Sequence, residues 1–193
     1  MNGEWCYFHN YFSEDECESI IDLAKKTINP QQATMGDGSR DASYINDYRK
    51  SEIRWIYPTM TEFEFVFDKM WKMAVKANDE FFNFHMSRLN YLQFACYNEK
   101  NQGEYKRHHD VFWMNKDSKY HRKLSATVQL SDPSTYIGGN FEIYNVQEKI
   151  DENKCRDQGT AIFFPSFYDH AVTPVTNGER CSLVAWFEGP KWR

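Results

Sequence analysis

The stretch Tyr105-Lys106-Arg107-His108-His109-Asp110 lies in the part of the chain whose apolar residues follow the period of β-strands. Successive side chains of an extended chain point to opposite faces, so His108 and Asp110 would share one face and His109 would take the other. An imidazole and a carboxylate on one face supply two ligands for a transition metal ion. A bulge at this point would exchange His109 for His108, and that alternative stays open.

Short β-type runs surround this stretch and predict the fold class. They span residues 91–97, 123–130, 140–144, 160–164, 170–175 and 181–187. Turn-forming pairs separate them, among them Asp132-Pro133, Gly138-Gly139 and Asn177-Gly178. Several short strands at this spacing favour a sandwich or jelly roll. Asn177-Gly178 in particular predicts a two-residue hairpin turn.

Two helical patterns precede the β-type runs. The first would begin at Ser13, with Glu16 completing a capping box, and the second at Thr61, with Glu64 in the same role. Both carry apolar residues at helical spacing, which predicts that they pack against the strands.

The expected domain organisation follows from this change of period. We predict a single domain over residues 1–193, with a helical support region at 1–89 and a β core at 90–190. The fold class is therefore mainly β with N-terminal helices.

Composition limits the classes of partner. Hydrophobic residues make up 41% of the chain and aromatic residues 17%, which favours a packed core. The net charge is −5 with both signs interspersed, so we expect no nucleic-acid partner. No leader pattern opens the chain and no apolar run is long enough to span a bilayer, so we expect a cytoplasmic protein without a membrane partner. The oligomeric state is not indicated.

Five cysteines are present, and they are widely spaced. They are Cys6, Cys17, Cys96, Cys155 and Cys181. An odd number without a Cys-x-x-Cys pair predicts neither a disulfide framework nor a thiolate zinc site, so we expect reduced thiols.

Two further residues complete a candidate site. His170 follows one β-type run and opens the next, and it is the best third ligand, because two histidines and one carboxylate form the facial triad of non-haem iron(II) oxygenases. Arg180 follows ten residues later. With a hairpin at Asn177-Gly178, Arg180 would lie across from the segment of His170, where its guanidinium could hold a carboxylate by two parallel hydrogen bonds.

These motifs together resemble the prolyl 4-hydroxylase-like Fe(II)/2-oxoglutarate-dependent dioxygenases, in particular their small bacterial and phage-type members. The resemblance covers nearly the whole chain and is densest over residues 92–190. It is carried by Tyr97, the stretch from Gly103 to Asp110, the stretch from His121 to Pro133, Gly138-Gly139, Phe163-Phe164-Pro165, His170, Pro174, Gly178-Glu179-Arg180 and Trp186. It implies a double-stranded β-helix, a jelly-roll variant, buttressed by helices and with a metal at its open end.

The resemblance also implies roles for individual residues. His108, Asp110 and His170 would bind Fe(II), and the family's spacing favours His108 over His109. Arg180 would pair with the distal carboxylate of 2-oxoglutarate. Further residues of the co-substrate site would be Tyr97, Gln129 and Trp186, the last one near the metal and the substrate entrance.

The implied reaction is hydroxylation of a C–H bond, with O2 consumed and with succinate and CO2 as co-products. Ascorbate is a possible auxiliary reductant. Related halogenases have a small residue where Asp110 stands, so Asp110 favours hydroxylation. The substrate class that the family implies is a prolyl residue of a peptide or protein, and a free amino acid or other small molecule is the alternative.

Two rival classes remain. A non-catalytic jelly-roll module would bind a ligand or partner at the same opening, and a zinc hydrolase would use the same three ligands but lacks an evident general base.

Two surface regions near the opening are also predicted. Residues 30–52 read as a long loop that could close over a peptide through Tyr44, Arg49, Arg54 and Trp55. Charged residues around the opening are expected in a solvated rim; they are Lys106, Arg107, Arg122 and Lys123.

Overall fold

The structure, a computed structural model, describes residues 3–33, 47–113 and 119–193. Eleven strands are present there: β1 (Cys6–Phe8), β2 (Gln31–Gln32), β3 (Glu52–Ile56), β4 (Leu92–Asn98), β5 (Tyr105–His108), β6 (Tyr120–Gln129), β7 (Tyr136–Gly138), β8 (Phe141–Ile143), β9 (Ala161–Pro165), β10 (His170–Val172) and β11 (Val175–Pro190). The α-helices are α1 (Glu14–Thr27), α2 (Glu64–Ala77) and α3 (Glu152–Cys155). Within these ranges, no helix has the length and apolar character needed to cross a membrane.

The strands form two antiparallel sheets. The large sheet has the order β1-β9-β6-β11-β4-β3-β2, with β7 also pairing with β11, and the small sheet has the order β5-β10-β8. This arrangement is a jelly roll with few helices, as predicted. Three strands of the large sheet (β1, β2 and β3) come from the region before residue 90, so that region contributes to the β layer as well as to the helical support.

Two hydrophobic cores lie on opposite faces of the large sheet. One packs α1 and α2 against the sheet through residues such as Ile20, Met70 and Phe187. The other fills the space between the two sheets, where Phe164 of the large sheet meets Phe141 of the small one at a ring distance of 5.4 Å. The helices therefore cover one face and leave the other face free to line a site.

Strand β6 shows how the sequence separates these two cores. Its apolar residues Leu124, Ala126 and Val128 belong to the helix-side core. Its polar residues Ser125, Thr127 and Gln129 alternate with them and are also buried. Because side chains alternate along a strand, this buried polar row faces the interior of the jelly roll.

The helix starts agree only in part with the sequence prediction. Ser13 caps α1 in a complete capping box with Glu16, as predicted. The predicted cap at Thr61 is wrong, because Thr61 lies in a 3-10 turn (Thr61–Phe63) and α2 begins at Glu64 without a side-chain cap.

The predicted hairpin at Asn177-Gly178 is also wrong. Both residues lie inside the continuous strand β11, where they pair with β7. Gly178 has a φ of 73°, and a Cβ there would lie 2.1 Å from the Thr135 carbonyl oxygen. The glycine permits a close approach of two strands at an irregularity in their register, so it marks a bulge and not a turn.

The long loop predicted at 30–52 contains regular structure at both ends. Strand β2 pairs with the start of β3 at the edge of the large sheet, and Arg49 forms an isolated bridge to Tyr105. Residues 34–46, including Tyr44, lie outside the described ranges, so closure of this segment over a substrate stays a prediction.

The expectation of reduced thiols is wrong for one pair of cysteines. Cys96 of β4 and Cys181 of β11 are direct cross-strand partners and form a disulfide, although 85 residues separate them in sequence. The remaining cysteines, Cys6, Cys17 and Cys155, are free and buried, and burial raises the pKa of each thiol to about 12.

The disulfide gives the first testable prediction. Iodoacetamide added to protein unfolded without reductant should label three cysteines, because the Cys96–Cys181 pair is protected. Intact-mass spectrometry counts the labels, and reduction before labelling serves as the control that exposes all five. Five labels without reductant would show that the pair is reduced.

Candidate active site

Three side chains meet at one end of the jelly roll. His108 ends β5 and His170 begins β10, and the two are direct partners in the small sheet, with ring centroids 4.2 Å apart. Asp110 follows β5, and its backbone N–H donates to the Ser166 carbonyl at 2.9 Å. The ligand atoms of His108, Asp110 and His170 all lie within 4.8 Å of one another, so this set could hold a metal ion.

The orientation of both imidazoles suits metal binding. Nδ1 of His108 lies 2.8 Å from the Lys106 carbonyl, and Nδ1 of His170 lies 3.1 Å from the Tyr168 carbonyl. A proton on each Nδ1 leaves each Nε2 with a free lone pair. Those Nε2 atoms lie 3.9 Å and 3.6 Å from the oxygens of Asp110. Backbone carbonyls thus fix the tautomer that a metal ligand needs.

Strand β6 holds the carboxylate in place. Ser125 donates a hydrogen bond to Oδ2 of Asp110 at 2.6 Å, and its oxygen lies 2.9 Å from the hydroxyl of Ser166. Neither serine was predicted as a site residue. The sequence pattern that could have identified Ser125 is the alternation of polar residues along β6, to which it belongs. That pattern also fits a strand face exposed to solvent.

The electrostatics keep Asp110 and His108 in the protonation states of metal ligands. Burial opposes ionisation of Asp110, but His170, His108 and Arg122 together with the Ser125 hydrogen bond lower its pKa to about 2. Burial, followed by the neighbouring His170, holds the pKa of His108 well below its usual value. A carboxylate beside a neutral imidazole is therefore the resting state at neutral pH.

His109 does not join this cluster. It is exposed and directed toward Trp113, with ring centroids 6.4 Å apart. The pairing of β5 with β10 contains a register irregularity, because the three steps from Tyr105 to His108 face only two steps from Val172 to His170. His108, and not His109, nevertheless lies opposite His170 and joins the cluster.

A second polar centre lies deeper between the sheets, around Arg180. Arg180 is 1% exposed, and it lies opposite Tyr97 in the β4–β11 pairing, with its guanidinium carbon 5.6 Å from the Tyr97 ring. Its Nη2 donates to Gln129 at 2.9 Å and its Nη1 to Ser182 at 3.4 Å. No carboxylate within the described ranges pairs with it, so a buried positive charge faces neutral groups only. A carboxylate of a ligand would compensate that charge.

Comparison with known proteins identifies this arrangement. A model of the 2OG-Fe(II) oxygenase superfamily matches residues 92–188, which is half of the chain and contains both polar centres. The chain belongs to this superfamily. Its members use Fe(II), 2-oxoglutarate and O2, and the His-Asp-His cluster and the buried arginine fit those groups by donor type and charge.

Individual relatives agree with the superfamily assignment. The chain is 34% identical over 100 residues to a PKHD-type hydroxylase of Teredinibacter turnerae, covering 50% of this chain and 42% of that protein. The matched segment thus spans less than half the length of such relatives.

Two solved structures share the fold. A viral collagen prolyl hydroxylase of Paramecium bursaria Chlorella virus-1 superposes with a TM-score of 0.71 and 22% identity, covering 96% of each chain. A prolyl-4-hydroxylase of Pseudomonas putida gives a TM-score of 0.69 at 20% identity, with 97% of this chain and 93% of that chain covered.

The metal cluster of this oxygenase-family chain opens into a cavity of about 650 Å³. Trp186, predicted at the metal and substrate entrance, forms part of its wall. The expectation that Arg122 lies in a solvated rim is wrong, because Arg122 is buried between Trp186 and Phe112 and lies 4.0 Å from Asp110. Lys123 is buried as well, over the ring of Trp192, whereas Lys106 and Arg107 are exposed.

Of the residues proposed from the loop, the structure brings two into the cavity. Arg49 and Trp55 line it. Arg54 lies elsewhere, since it donates to Glu52 and to the Ile28 carbonyl.

The lowered pKa of His108 predicts how stability depends on pH. In the unfolded chain this histidine takes up a proton near its usual pKa of about 6.5, whereas the folded, metal-free protein keeps it neutral. The free energy of unfolding should therefore fall as pH drops below that value, by at most about 1.4 kcal/mol per pH unit for one proton.

Urea unfolding of metal-free protein at pH 7.5 and 5.5 measures this dependence. His108→Gln should reduce the difference between the two pH values. His9→Gln is the control, because His9 lies on the surface beside Asp157. His121, whose pKa is also lowered by burial, contributes in the same direction in every variant. An unchanged pH dependence in His108→Gln would contradict the assignment.

Proposed function

We propose that the protein is an Fe(II)- and 2-oxoglutarate-dependent hydroxylase of an aliphatic C–H bond, with a prolyl residue of a peptide or protein as its substrate. His108, Asp110 and His170 bind the metal, and Arg180 binds the distal carboxylate of the co-substrate. The observation that carries this proposal is the presence of a two-histidine, one-carboxylate cluster together with a buried arginine, Arg180, whose partners in the described part of the chain are neutral.

The prolyl substrate is supported by the relatives. Those matched in sequence are PKHD-type hydroxylases, and the structures that share the fold are prolyl hydroxylases. A free amino acid or another small molecule is the alternative substrate class, and the cavity of about 650 Å³ is large enough for either.

The two rival functions fit the site less well. A binding module has no need for a metal triad together with a buried arginine. A zinc hydrolase needs a general base near the metal. The acidic residues that line the described cavity are Asp110, which belongs to the triad, and Asp169, which is paired with Arg107 at 2.8 Å.

Each residue of the site has its own role in the proposed reaction. When bound, the metal and 2-oxoglutarate supply the oxidative chemistry, in which O2 is consumed, the co-substrate becomes succinate and CO2, and the substrate gains a hydroxyl group. Ser125 orients Asp110, and the Tyr105 ring stacks on His108 at 3.4 Å, which fixes the imidazole plane. Burial raises the pKa of Tyr105 to about 12, so its phenol keeps its proton.

The co-substrate pocket is shaped around Arg180. Oε1 of Gln129 accepts a hydrogen bond from Nη2 of Arg180. The amide N–H groups of Gln129 then stay available to donate to a bound carboxylate. Tyr97 lies on the neighbouring strand. A Cβ at Gly139 would lie 2.8 Å from Cδ of Arg180, so this glycine makes room for the arginine side chain.

Turnover of the co-substrate tests the proposed function directly. The wild type should convert 2-oxoglutarate to succinate in the presence of Fe(II), O2 and ascorbate, and His108→Ala should lose at least about 100-fold of this activity because a metal ligand is missing. His109→Ala is the matched control, since it removes the adjacent exposed histidine. Absence of metal-dependent 2-oxoglutarate binding in the wild type would refute the proposal that the protein is a 2-oxoglutarate-dependent enzyme.

Arg180→Ala tests the co-substrate site separately. Loss of two charge-assisted hydrogen bonds should raise the KM for 2-oxoglutarate by roughly 10- to 100-fold and leave metal affinity unchanged. Arg54→Ala is the control, because it removes another buried arginine that lies outside the cavity. A fall in metal affinity instead would assign Arg180 a structural role.

A further inference from the structure

A second buried arginine, Arg49, lines the metal cavity, and no acidic residue of the described ranges pairs with it. We propose that the substrate of this hydroxylase carries a carboxylate group and that Arg49 binds it beside the metal site. The inference rests on the proposed function and adds to it the chemical class of the substrate. Recognition of a prolyl ring alone does not require an anion.

The position of Arg49 is fixed relative to the metal ligands. Lys50 and Glu104 exchange two backbone hydrogen bonds, of 2.8 and 3.2 Å, and Arg49 forms a bridge to Tyr105, the first residue of the strand that carries His108. The guanidinium carbon lies 4.3 Å from the centre of the Tyr105 ring, which itself stacks on His108. Arg49 is thus separated from a metal ligand by one aromatic ring.

The hydrogen bonds of Arg49 leave part of its guanidinium unused. The residue is 5% exposed; Nε donates to Ser51 at 2.8 Å and Nη2 donates to Gln93 at 2.6 Å. A guanidinium has five N–H donors in a planar fork. The other three have no acceptor within the described part of the chain. A carboxylate in the cavity could accept two of them side by side.

The described acidic residues of the cavity leave the charge of Arg49 without a counter-ion. Asp110 belongs to the metal cluster and Asp169 is paired with Arg107, so neither compensates Arg49. Arg122 adds another positive charge, 4.0 Å from Asp110. A buried and uncompensated guanidinium is costly, and a ligand carboxylate would remove that cost.

Arg54 shows how the same chain treats a buried arginine outside the site. Arg54 is 6% exposed, nearly as buried as Arg49, but its Nη1 lies 2.5 Å from the carboxylate of Glu52. At Arg54 the chain itself supplies an acidic partner, the half-exposed Glu52. At Arg49 the partners are a hydroxyl and an amide, which fix the guanidinium but leave its charge for a ligand.

The carboxylate has two possible sources, a free carboxylate on the hydroxylated residue and an acidic side chain next to it in a peptide. Matched pairs of probes separate them. One pair is N-acetylproline and N-acetylprolinamide. The other is acetyl-Gly-Pro-Glu-amide and acetyl-Gly-Pro-Gln-amide. Each pair differs only in whether the tested group is an acid or an amide.

The experiment is calorimetric titration of these probes into protein loaded with Zn(II) and saturated with 2-oxoglutarate, so that no turnover occurs and Arg180 is occupied. The acid of one pair should bind at least about tenfold more tightly than its amide, because a charged bidentate pair replaces a neutral contact. Equal binding of acid and amide in both pairs, or no binding of any probe, would overturn the proposal.

Variants assign the preference to Arg49. Arg49→Gln should abolish the preference for the acid, and Arg54→Gln, with the same change of charge, should keep it. Arg49→Lys keeps the positive charge but lacks the planar fork, so it should show a reduced preference for the acid. This variant replaces Arg49→Gln as the test if Arg49→Gln does not fold. A full preference in either Arg49 variant would place the anion site elsewhere.

A failure of the proposed function would look different. It would appear as absent metal-dependent binding of 2-oxoglutarate in a separate titration of the wild type. The comparison of acids with amides would then be made on metal-free protein, with Arg49→Gln again as the deciding variant.

Discussion

The candidate site depends on one antiparallel pairing, that of β5 with β10 in the small sheet. It places His108 directly opposite His170 and leaves Asp110 to turn back through its backbone bond to Ser166. Two residues 62 positions apart thereby become neighbours. Burial against the aromatic core between the sheets then keeps the His108 imidazole neutral, while the cluster keeps the Asp110 carboxylate ionised. A change of register in this short pairing would separate all three groups.

The polar row of β6 links this cluster to the deeper pocket. Ser125 reaches Asp110 at one end of the row, and Gln129 reaches Arg180 at the other. The opposite face of the same strand packs against the helices. One strand thus orients both the proposed metal ligand Asp110 and the proposed co-substrate anchor Arg180 while contributing to the core. This explains why the whole row is buried although its residues are polar.

Local rules of chain geometry predicted much of this site, and long-range pairing accounts for the errors. His108 and Asp110 do meet in one cluster, as predicted, although Asp110 lies beyond the end of β5. The capping box at Ser13 depends only on neighbouring residues. The hairpin at Asn177-Gly178 failed because β7 pairs with that segment, and the Cys96–Cys181 disulfide joins strands far apart in sequence. The burial of Arg122 likewise depends on aromatic partners from distant segments, which no local pattern reveals.

The two cores described above also differ in their content of sulfur. In the helix-side core lie the free thiols of Cys6 and Cys17, the thioethers of Met70 and Met73, and the Cys96–Cys181 disulfide. The inter-sheet core contains, within the described ranges, the free thiol of Cys155. Thiols and thioethers are the side chains that oxidants damage most readily. The large sheet thus lies between most of these oxidisable sulfur atoms, on its helix-covered face, and the candidate site on its other face. Such segregation would protect most of these sulfur atoms from the proposed oxidation reaction.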